Sequence, residues 1–282
     1  MGNICELFRS RLIPDPSIDF VSVPMKRFSS LPILATGILV ASTLQLHAQA
    51  PAAPAEAPAA ATPAPKPPKP PRTPESAVTP SIKDKGRHDQ FLERIKKGPI
   101  GLLFLGDSIT DNFPGHAKPV WAKYESYQVA DFGIGGDRTE HVLWRITNGE
   151  LDGIDPKVLV LMIGTNNIGH FNDEKPEWAA TGVTKIVETI REKLPKTKIL
   201  LLGVFPRDGA NSPHRAGVNA INQIIAKLDN GKTIRYLDIG KKFLDANGEI
   251  PKDIMPDSLH PNEKGYEIWH DAMQPLLDEM WK

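Results

Sequence analysis

Residues 158–167 read VLVLMIGTNN, a run of six apolar residues followed by a glycine and three polar residues. Apolar side chains at every position, rather than at every second one, are typical of a strand buried on both faces of a parallel sheet. Residues 199–205, ILLLGVF, repeat this pattern further along the chain. The two runs therefore predict buried strands of a parallel sheet.

Other β-rich runs alternate with longer segments of helical periodicity. Within Glu177–Leu194, apolar residues recur every three or four positions, and Pro195 ends the pattern. The predicted strands are Ile100–Leu105, Tyr127–Ile134, Val158–Ile163, Ile199–Phe205 and Ile234–Ile239, and the predicted helices are Thr139–Thr147, Glu177–Leu194, His214–Leu228 and Asn262–Met280. This alternation predicts one α/β domain at residues 82–282, with helices on both faces of a parallel sheet.

The charge balance and the cysteine count exclude several classes of partner. The 282 residues include 34 Lys and Arg and 34 Asp and Glu, so no excess positive charge is available to bind nucleic acid or an anionic membrane surface. Cys5 is the single cysteine, which excludes an intramolecular disulfide framework and a thiolate metal cluster. No His, Cys and carboxylate cluster has metal-ligand spacing, and this disfavours a metallohydrolase.

The first part of the chain resembles a targeting segment. Met25-Lys26-Arg27 precedes the apolar run LPILATGILVASTLQL, and His47-Ala48-Gln49-Ala50 provides a small-residue cleavage site. The run is short for a membrane span. We expect residues 25–50 to be a signal peptide of a secreted or periplasmic protein, with no stable membrane span in the mature form; an uncleaved anchor is the alternative.

Two further segments flank this signal. Residues 1–24 precede it, which predicts an upstream extension and a true translation start at Met25. Residues 51–80 are rich in Pro and Ala and are expected to form an extended, polyproline-like linker rather than a packed core. The predicted organisation is therefore extension, signal peptide, linker and folded domain.

Chemically useful side chains follow the predicted strands. Ser108 comes after the first strand, Gly136 after the second and Asn166 after the third, while Asp257 and His260 precede the last helix. In open parallel sheets, sites form at the carboxyl ends of the strands. A serine nucleophile, a histidine base, an orienting carboxylate and N–H donors for an oxyanion are the groups that acyl transfer requires.

Each of these features also has a simpler interpretation. Ser108 alone is more typical of a helix cap, and Asp257 and His260 alone suit a surface turn. The GIGGD stretch at residues 133–137 could cradle a phosphate, but it lacks the GxGxxG spacing and the Lys-Ser/Thr pair of a P-loop. The occurrence of all the groups at one predicted sheet edge favours the hydrolase.

Four ordered blocks resemble the GDSL, or SGNH, hydrolase family. They are GDSIT, DFGIGGDRTEHVLWRITNGEL, KVLVLMIGTNN and DSLHPNEKGY, and the last three are similar to the catalytic α-subunits of platelet-activating-factor acetylhydrolase. The resemblance covers residues 85–281 and implies a flavodoxin-like sheet of order 2-1-3-4-5. Ile109 stands where the family name has Leu, a conservative departure.

The resemblance also implies roles for individual residues. The nucleophile falls on Ser108, the acid and base on Asp257 and His260, and the oxyanion-hole donors on Ser108, Gly136 and Asn166. It implies no metal and no cofactor. His170 follows the third block and is a candidate substrate-binding residue, whereas His141 is expected to pack within its helix or to lie on the surface rather than to contact substrate.

The sequence thus predicts a secreted serine esterase that hydrolyses short acetyl esters, with carbohydrate esters as the expected substrates. A lipid-acting acetylhydrolase or lysophospholipase is the enzymatic alternative. A non-catalytic glycan-binding module of the same fold is the alternative from a different class. The expected partner is a small-molecule or glycan ester; the oligomeric state stays open, with a homodimer among the alternatives.

Overall fold

The computed structural model describes residues 70–282, and a five-stranded parallel sheet lies at their centre. The strands are β1 (Leu102–Gly106), β2 (Val129–Gly133), β3 (Val158–Met162), β4 (Lys198–Leu202) and β5 (Ile234–Leu237). Their order is β2-β1-β3-β4-β5, and Leu102 of β1 is in register with Val129 on one side and Val158 on the other. The predicted sheet order is confirmed.

Helices connect the strands. They are α1 (Lys85–Lys96), α2 (Ser108–Asp111), α3 (Phe113–His116), α4 (Lys118–Ala122), α5 (Thr139–Thr147), α6 (Thr165–His170), α7 (Pro176–Lys193), α8 (Pro213–Ile225) and α9 (Glu263–Trp281). Short 3-10 turns lie at Pro74–Ala77, Glu125–Tyr127, Ala226–Leu228 and Gly240–Phe243. The helix predicted at Thr139–Thr147 is reproduced in full as α5.

The sheet separates two hydrophobic cores. Side chains of β1 alternate between them: Leu103 and Leu105 join the core under α1, α5, α7 and α8, while Leu102 and Phe104 join the core under α3, α4 and α9. A strand buried on both faces needs apolar residues at every position, which explains the continuous apolar runs of the sequence. The predicted α/β fold with helices on both faces is therefore confirmed.

Helix α1 was not predicted. It begins after Asp84, whose carboxylate accepts a hydrogen bond from the Arg87 backbone N–H at 2.9 Å. Its buried residues are only His88 and Phe91, so its apolar stripe is too sparse to show a helical period. Packing of Phe91 on Phe132 of β2, with ring centroids 4.6 Å apart, holds this helix against the sheet.

The linker prediction is wrong for residues 70–80, because these residues pack against the domain. Ala77 is fully buried, and its carbonyl accepts a hydrogen bond from the Thr139 hydroxyl at 2.8 Å. The Arg72 guanidinium pairs with Glu140 at 2.9 Å and also with Glu174. A Pro- and Ala-rich composition did not reveal these long-range partners, and the folded part begins before residue 82.

The predictions for residues 1–24, 25–50 and 51–69 lie outside the described residues. Within residues 70–282, no helix combines the length and the apolar character needed to cross a membrane.

Candidate active site

Ser108 is the first residue of α2 and follows β1 directly at the carboxyl edge of the sheet. The helix cap is Asp107, whose carboxylate accepts from the Ile109 N–H at 3.0 Å, so the Ser108 hydroxyl is not used as a cap. Close approach of the loops requires glycine at Gly133, where a Cβ would lie 2.2 Å from the Asp111 nitrogen. The half-buried Ser108 is thereby held at a crowded sheet edge.

The structure brings His260 to Ser108 although 152 positions separate them in the chain. The Ser108 Oγ and the His260 Nε2 are 2.8 Å apart, and the His260 Nδ1 is 2.6 Å from the Asp257 Oδ2. Ser258, with φ of 61°, provides the left-handed residue that turns the backbone between Asp257 and His260. The local turn therefore places both side chains in line with the serine.

Hydrogen bonds keep Asp257 ionised. Burial opposes its ionisation, but the backbone N–H of His260, the His260 ring and the backbone N–H of Leu259 together hold its pKa below the usual value. The two backbone bonds to Oδ1 measure 2.7 Å from His260 and 3.0 Å from Leu259. A carboxylate in this position is suited to hold a histidine ring with its proton on Nδ1.

The loop after β2 lies beside the serine. A Cβ built on Gly135 would be 3.9 Å from the Ser108 Cβ, and Gly136 adopts a φ of +73°. His170, at the end of α6, also lies against this loop, since its Cε1 would be 3.6 Å from a Cβ at Gly136. The predicted donor loop and the predicted substrate-binding histidine are thus adjacent to each other.

Asn166 enters the same edge from β3, in the first turn of α6, and is 95% buried. Its Nδ2 donates to the Asp137 carbonyl at 2.9 Å, which ties the loop after β3 to the loop after β2. A side-chain amide carries two N–H donors, so this bond uses one of them and fixes the direction of the other.

The sequence did not predict a buried ionic network that lies near these loops. The Arg145 guanidinium of α5 donates to the Asp137 carboxylate at 2.9 Å, to the Gly106 carbonyl at 3.2 Å and to the Phe132 carbonyl at 3.1 Å, and it pairs with Glu150. It therefore joins the ends of β1 and β2. An arginine in the apolar segment HVLWRI of a helix was the available signal.

Burial perturbs the carboxylates of this region. It raises the pKa of Asp107 to about 7 and that of Asp137 to about 6, although Arg145 favours the ionised form of Asp137. His141 is buried beside Arg138, and burial and this cation lower its pKa to about 3. His141 accepts from the Arg138 backbone N–H at 3.0 Å, so it has a structural role within its helix.

A family comparison matches these features. Residues 104–268, which include Ser108, Gly136, Asn166, Asp257 and His260, match the model of the GDSL-like lipase/acylhydrolase family. The chain belongs to this family. Within residues 70–282, no group of three or more His, Cys, Asp or Glu side chains is arranged to hold a metal ion.

Relatives of this GDSL-family protein are known enzymes. The platelet-activating factor acetylhydrolase IB subunit alpha1 of Homo sapiens is 33% identical over 212 residues, covering 72% of this chain and 89% of the relative. The alpha2 subunit of Rattus norvegicus is 34% identical over 199 residues, covering 68% and 84% of the two chains. With the family match, these relatives identify the protein as a carboxylic ester hydrolase.

Solved structures share its fold. A GDSL-like lipase from Bacteroides thetaiotaomicron has a TM-score of 0.58 at 15% identity and covers 68% of this chain and 97% of its own. An acetylxylan esterase from Geobacillus stearothermophilus has a TM-score of 0.50 at 19% identity, covering 64% and 94%. At these identities the likeness concerns the fold.

Proposed function

We propose that this hydrolase cleaves short acetyl esters through a catalytic triad of Ser108, His260 and Asp257. The observation that carries the proposal is the continuous hydrogen-bonded chain from the Ser108 Oγ through His260 to the Asp257 carboxylate, with links of 2.8 Å and 2.6 Å. A serine is a weak nucleophile unless an oriented base accepts its proton, and this chain supplies such a base.

In the proposed reaction, the Ser108 Oγ attacks the ester carbonyl carbon while its proton moves to the His260 Nε2. Collapse of the tetrahedral intermediate breaks the ester C–O bond, and the alcohol leaves with that proton. Water then attacks the acyl-enzyme, again losing a proton to Nε2, and releases the carboxylic acid and the free serine. Asp257 stabilises the imidazolium form of His260 throughout.

The proposed oxyanion donors are the backbone N–H groups of Ser108 and Gly136 and the side-chain amide of Asn166. Their positions after β1, β2 and β3 support this assignment, because the three loops meet at one edge of the sheet. Loss of one such donor raises the barrier by about 3 kcal/mol in comparable sites. His170, next to Gly136, is proposed to contact the bound ester.

Carbohydrate esters are the proposed substrates. In residues 70–282, Ile82 is the large hydrophobic side chain that is strongly exposed, at 50%, and this pattern favours a polar substrate over a lipid interface. Asp257 of the proposed triad is itself 55% exposed, which suits an open site that admits a bulky polar alcohol. The acetylxylan esterase with the same fold is consistent with such a substrate.

Secretion is part of the proposal and rests on the signal-like residues 25–50. Intact-mass analysis of the protein recovered from the periplasm or the medium should give a chain that begins after Ala50. A recovered chain that still contains residues 25–50 would reject the cleaved signal, and one that contains residues 1–24 would reject the start at Met25.

Ser108→Ala tests the triad. Hydrolysis of p-nitrophenyl acetate should fall by at least about 10⁴-fold, because a triad without its nucleophile retains little activity. Covalent labelling by a fluorophosphonate should also disappear. Ser126→Ala is the matched control, since Ser126 is exposed in the turn Glu125–Tyr127, and it should leave both readouts unchanged. Retained turnover in Ser108→Ala would reject the triad.

A second candidate is a lipid-acting acetylhydrolase, favoured by the 33–34% identity to the platelet-activating factor acetylhydrolase subunits. Turnover of acetylated xylan, acetylated monosaccharides and short-acyl phospholipids by one preparation discriminates the candidates. Higher kcat/KM on the phospholipid would replace the carbohydrate assignment. Absence of both turnover and fluorophosphonate labelling in the unmodified protein would favour a glycan-binding module instead.

A further inference from the structure

Lys83 lies between the segment 70–80 and α1, far in sequence from the residues of the proposed triad. Its Nζ donates a hydrogen bond of 2.6 Å to the carbonyl oxygen of Gly135, which is 52 positions away. A Cβ built on Gly136 would lie 3.6 Å from the Lys83 Cε. The lysine side chain is otherwise exposed, so an ammonium group rests directly on the glycine loop.

The carbonyl of Gly135 and the N–H of Gly136 belong to the same peptide unit. In a planar trans peptide, these two groups point in opposite directions. The Lys83 ammonium therefore holds the end of the peptide opposite to the N–H that is the proposed oxyanion donor. Resting on that proposed function, we infer that Lys83 is a positioning residue that orients and polarises the Gly135–Gly136 peptide for catalysis.

Orientation matters here because glycine restricts the backbone so little. Gly136 has a φ of +73°, and neither glycine has a side chain that could pack to fix the peptide plane. The Lys83 bond to the Gly135 carbonyl constrains this peptide directly, whereas the Gly135 N–H, which donates to the Asp111 carboxylate at 3.2 Å, belongs to the preceding peptide unit. Loss of the Lys83 bond removes this direct constraint on the Gly135–Gly136 plane.

Polarisation acts in the same direction. A charged donor on a peptide oxygen draws electron density toward that oxygen, so the N–H of the same peptide becomes a stronger donor. The benefit is greatest when negative charge develops on the substrate oxygen, because an oxyanion accepts more strongly than a neutral ester carbonyl. Lys83 is therefore expected to act on kcat rather than on ground-state binding.

Lys83→Met tests this inference on p-nitrophenyl acetate. Removal of an entire oxyanion donor costs about 10²–10³-fold, and loss of a group acting through that donor should lower kcat by about 10-fold. KM should change by less than about twofold, since the effect is confined to the transition state. Lys83→Arg keeps a cationic donor and should recover most of the lost activity.

The matched control is Lys85→Met, two residues along the chain. Lys85 Nζ bonds Asp89 at 2.7 Å on the exposed side of α1, so this variant removes the same charge without touching the glycine loop. It should retain wild-type kcat and fluorophosphonate labelling. Lys83→Met should slow that labelling by the same factor as kcat, because the phosphonyl oxygen occupies the same donors, while its unfolding temperature stays at the wild-type value.

The outcomes separate the two assignments. Retained activity in Ser108→Ala overturns the triad and, with it, the role of Lys83. An inactive Ser108→Ala combined with a wild-type kcat in Lys83→Met overturns the Lys83 assignment alone. A rise in KM at constant kcat, or an equal loss in Lys85→Met, would likewise overturn it.

Discussion

The proposed oxyanion side of the site and the proposed acid–base turn are built in opposite ways. On the oxyanion side, Asp107, Asp137, Arg145 and Asn166 are each exposed by 5% or less. In the acid–base turn, the side chains of His260 and Asp257 are 28% and 55% exposed. Donors aimed at a developing charge are effective only if they do not reorganise, and burial in a network supplies that rigidity. The proposed proton-transfer pair, Asp257 and His260, is instead held by hydrogen bonds within its own turn.

The two regions also treat carboxylates differently. Burial raises the pKa of Asp107 and Asp137 on the oxyanion side, whereas hydrogen bonds from neighbouring N–H groups outweigh burial and lower the pKa of Asp257. Buried carboxylates cost stability unless cations pair with them, while an exposed, hydrogen-bonded carboxylate does not. Substitutions of the charged residues in the first region should therefore affect folding, and those in the second should affect turnover.

Asp257→Asn should give the largest effect, on turnover. An amide can donate a hydrogen bond to the His260 Nδ1, which leaves the ring proton on Nε2. The protonated Nε2 faces Ser108 and cannot accept the proton of the serine. We expect kcat to fall by about 10³–10⁴-fold. The free energy of unfolding in urea should change by less than about 1 kcal/mol, because the pair is exposed. A loss of kcat below tenfold would contradict the role assigned to Asp257.

Arg145→Met should give the next largest effect, on stability. The variant leaves Asp137 and Glu150 without their cation in a buried environment, so the free energy of unfolding should fall by about 3–5 kcal/mol. Urea denaturation followed by circular dichroism measures the change. Arg235→Met is the control: Arg235 bonds Glu279 at 2.6 Å near the surface, and its loss should cost less than about 1 kcal/mol. An equal decrease in the free energy of unfolding of the two variants would show that the buried ion pairs contribute no more to stability than the exposed pair.

Asp107→Asn should give the smallest effect, which depends on pH. Between the unfolded pKa of 3.8 and the folded pKa of about 7, the folded protein retains a proton at Asp107 that the unfolded chain has lost. Stability of the wild type therefore decreases as pH rises through this range, by at most about 1.4 kcal/mol per pH unit, and is then constant.

The asparagine keeps the acceptor for the Ile109 N–H and the preference for a helix cap but does not titrate. Unfolding curves at pH 5, 6, 7 and 8 should show that the free energy of unfolding of the variant, relative to that of the wild type, increases up to pH 7. Parallel curves would show that Asp107 is not a buried, titrating carboxylate.

The fold was largely predictable because its signals are local and periodic. Continuous apolar runs identified β3 and β4, other β-rich runs identified the remaining three strands, and the spacing in Glu177–Leu194 identified α7, which the structure gives as Pro176–Lys193. The sequence pattern did not predict helix α1, because only two of its side chains are buried. The packing of residues 70–80 was not predicted because their composition resembles a linker. Their contacts are with residues distant in sequence, such as Glu140 and Thr139.

The site was predictable only as a set of residue types at one edge of the sheet. Ser108, Gly136 and Asn166 follow predicted strands, and the turn before α9 carries the proposed acid and base. Neither Arg145 nor Lys83 lies at the end of a predicted strand or in that turn, so position in the sequence did not assign them to the site. Arg145 acts through partners on several elements, and the Lys83 bond to Gly135 joins two segments that no local pattern relates.

The sequence by itself determined the strands, their order through the family resemblance, and the residue types available at their carboxyl ends, because burial and periodicity are written along the chain. The tertiary structure alone decided that the Ser108 Oγ and the His260 Nε2 lie 2.8 Å apart, that Arg145 joins the ends of two strands, and that Lys83 holds the Gly135 carbonyl. These contacts depend on how separate elements pack, and a hydrogen bond tolerates errors of only a few tenths of an ångström.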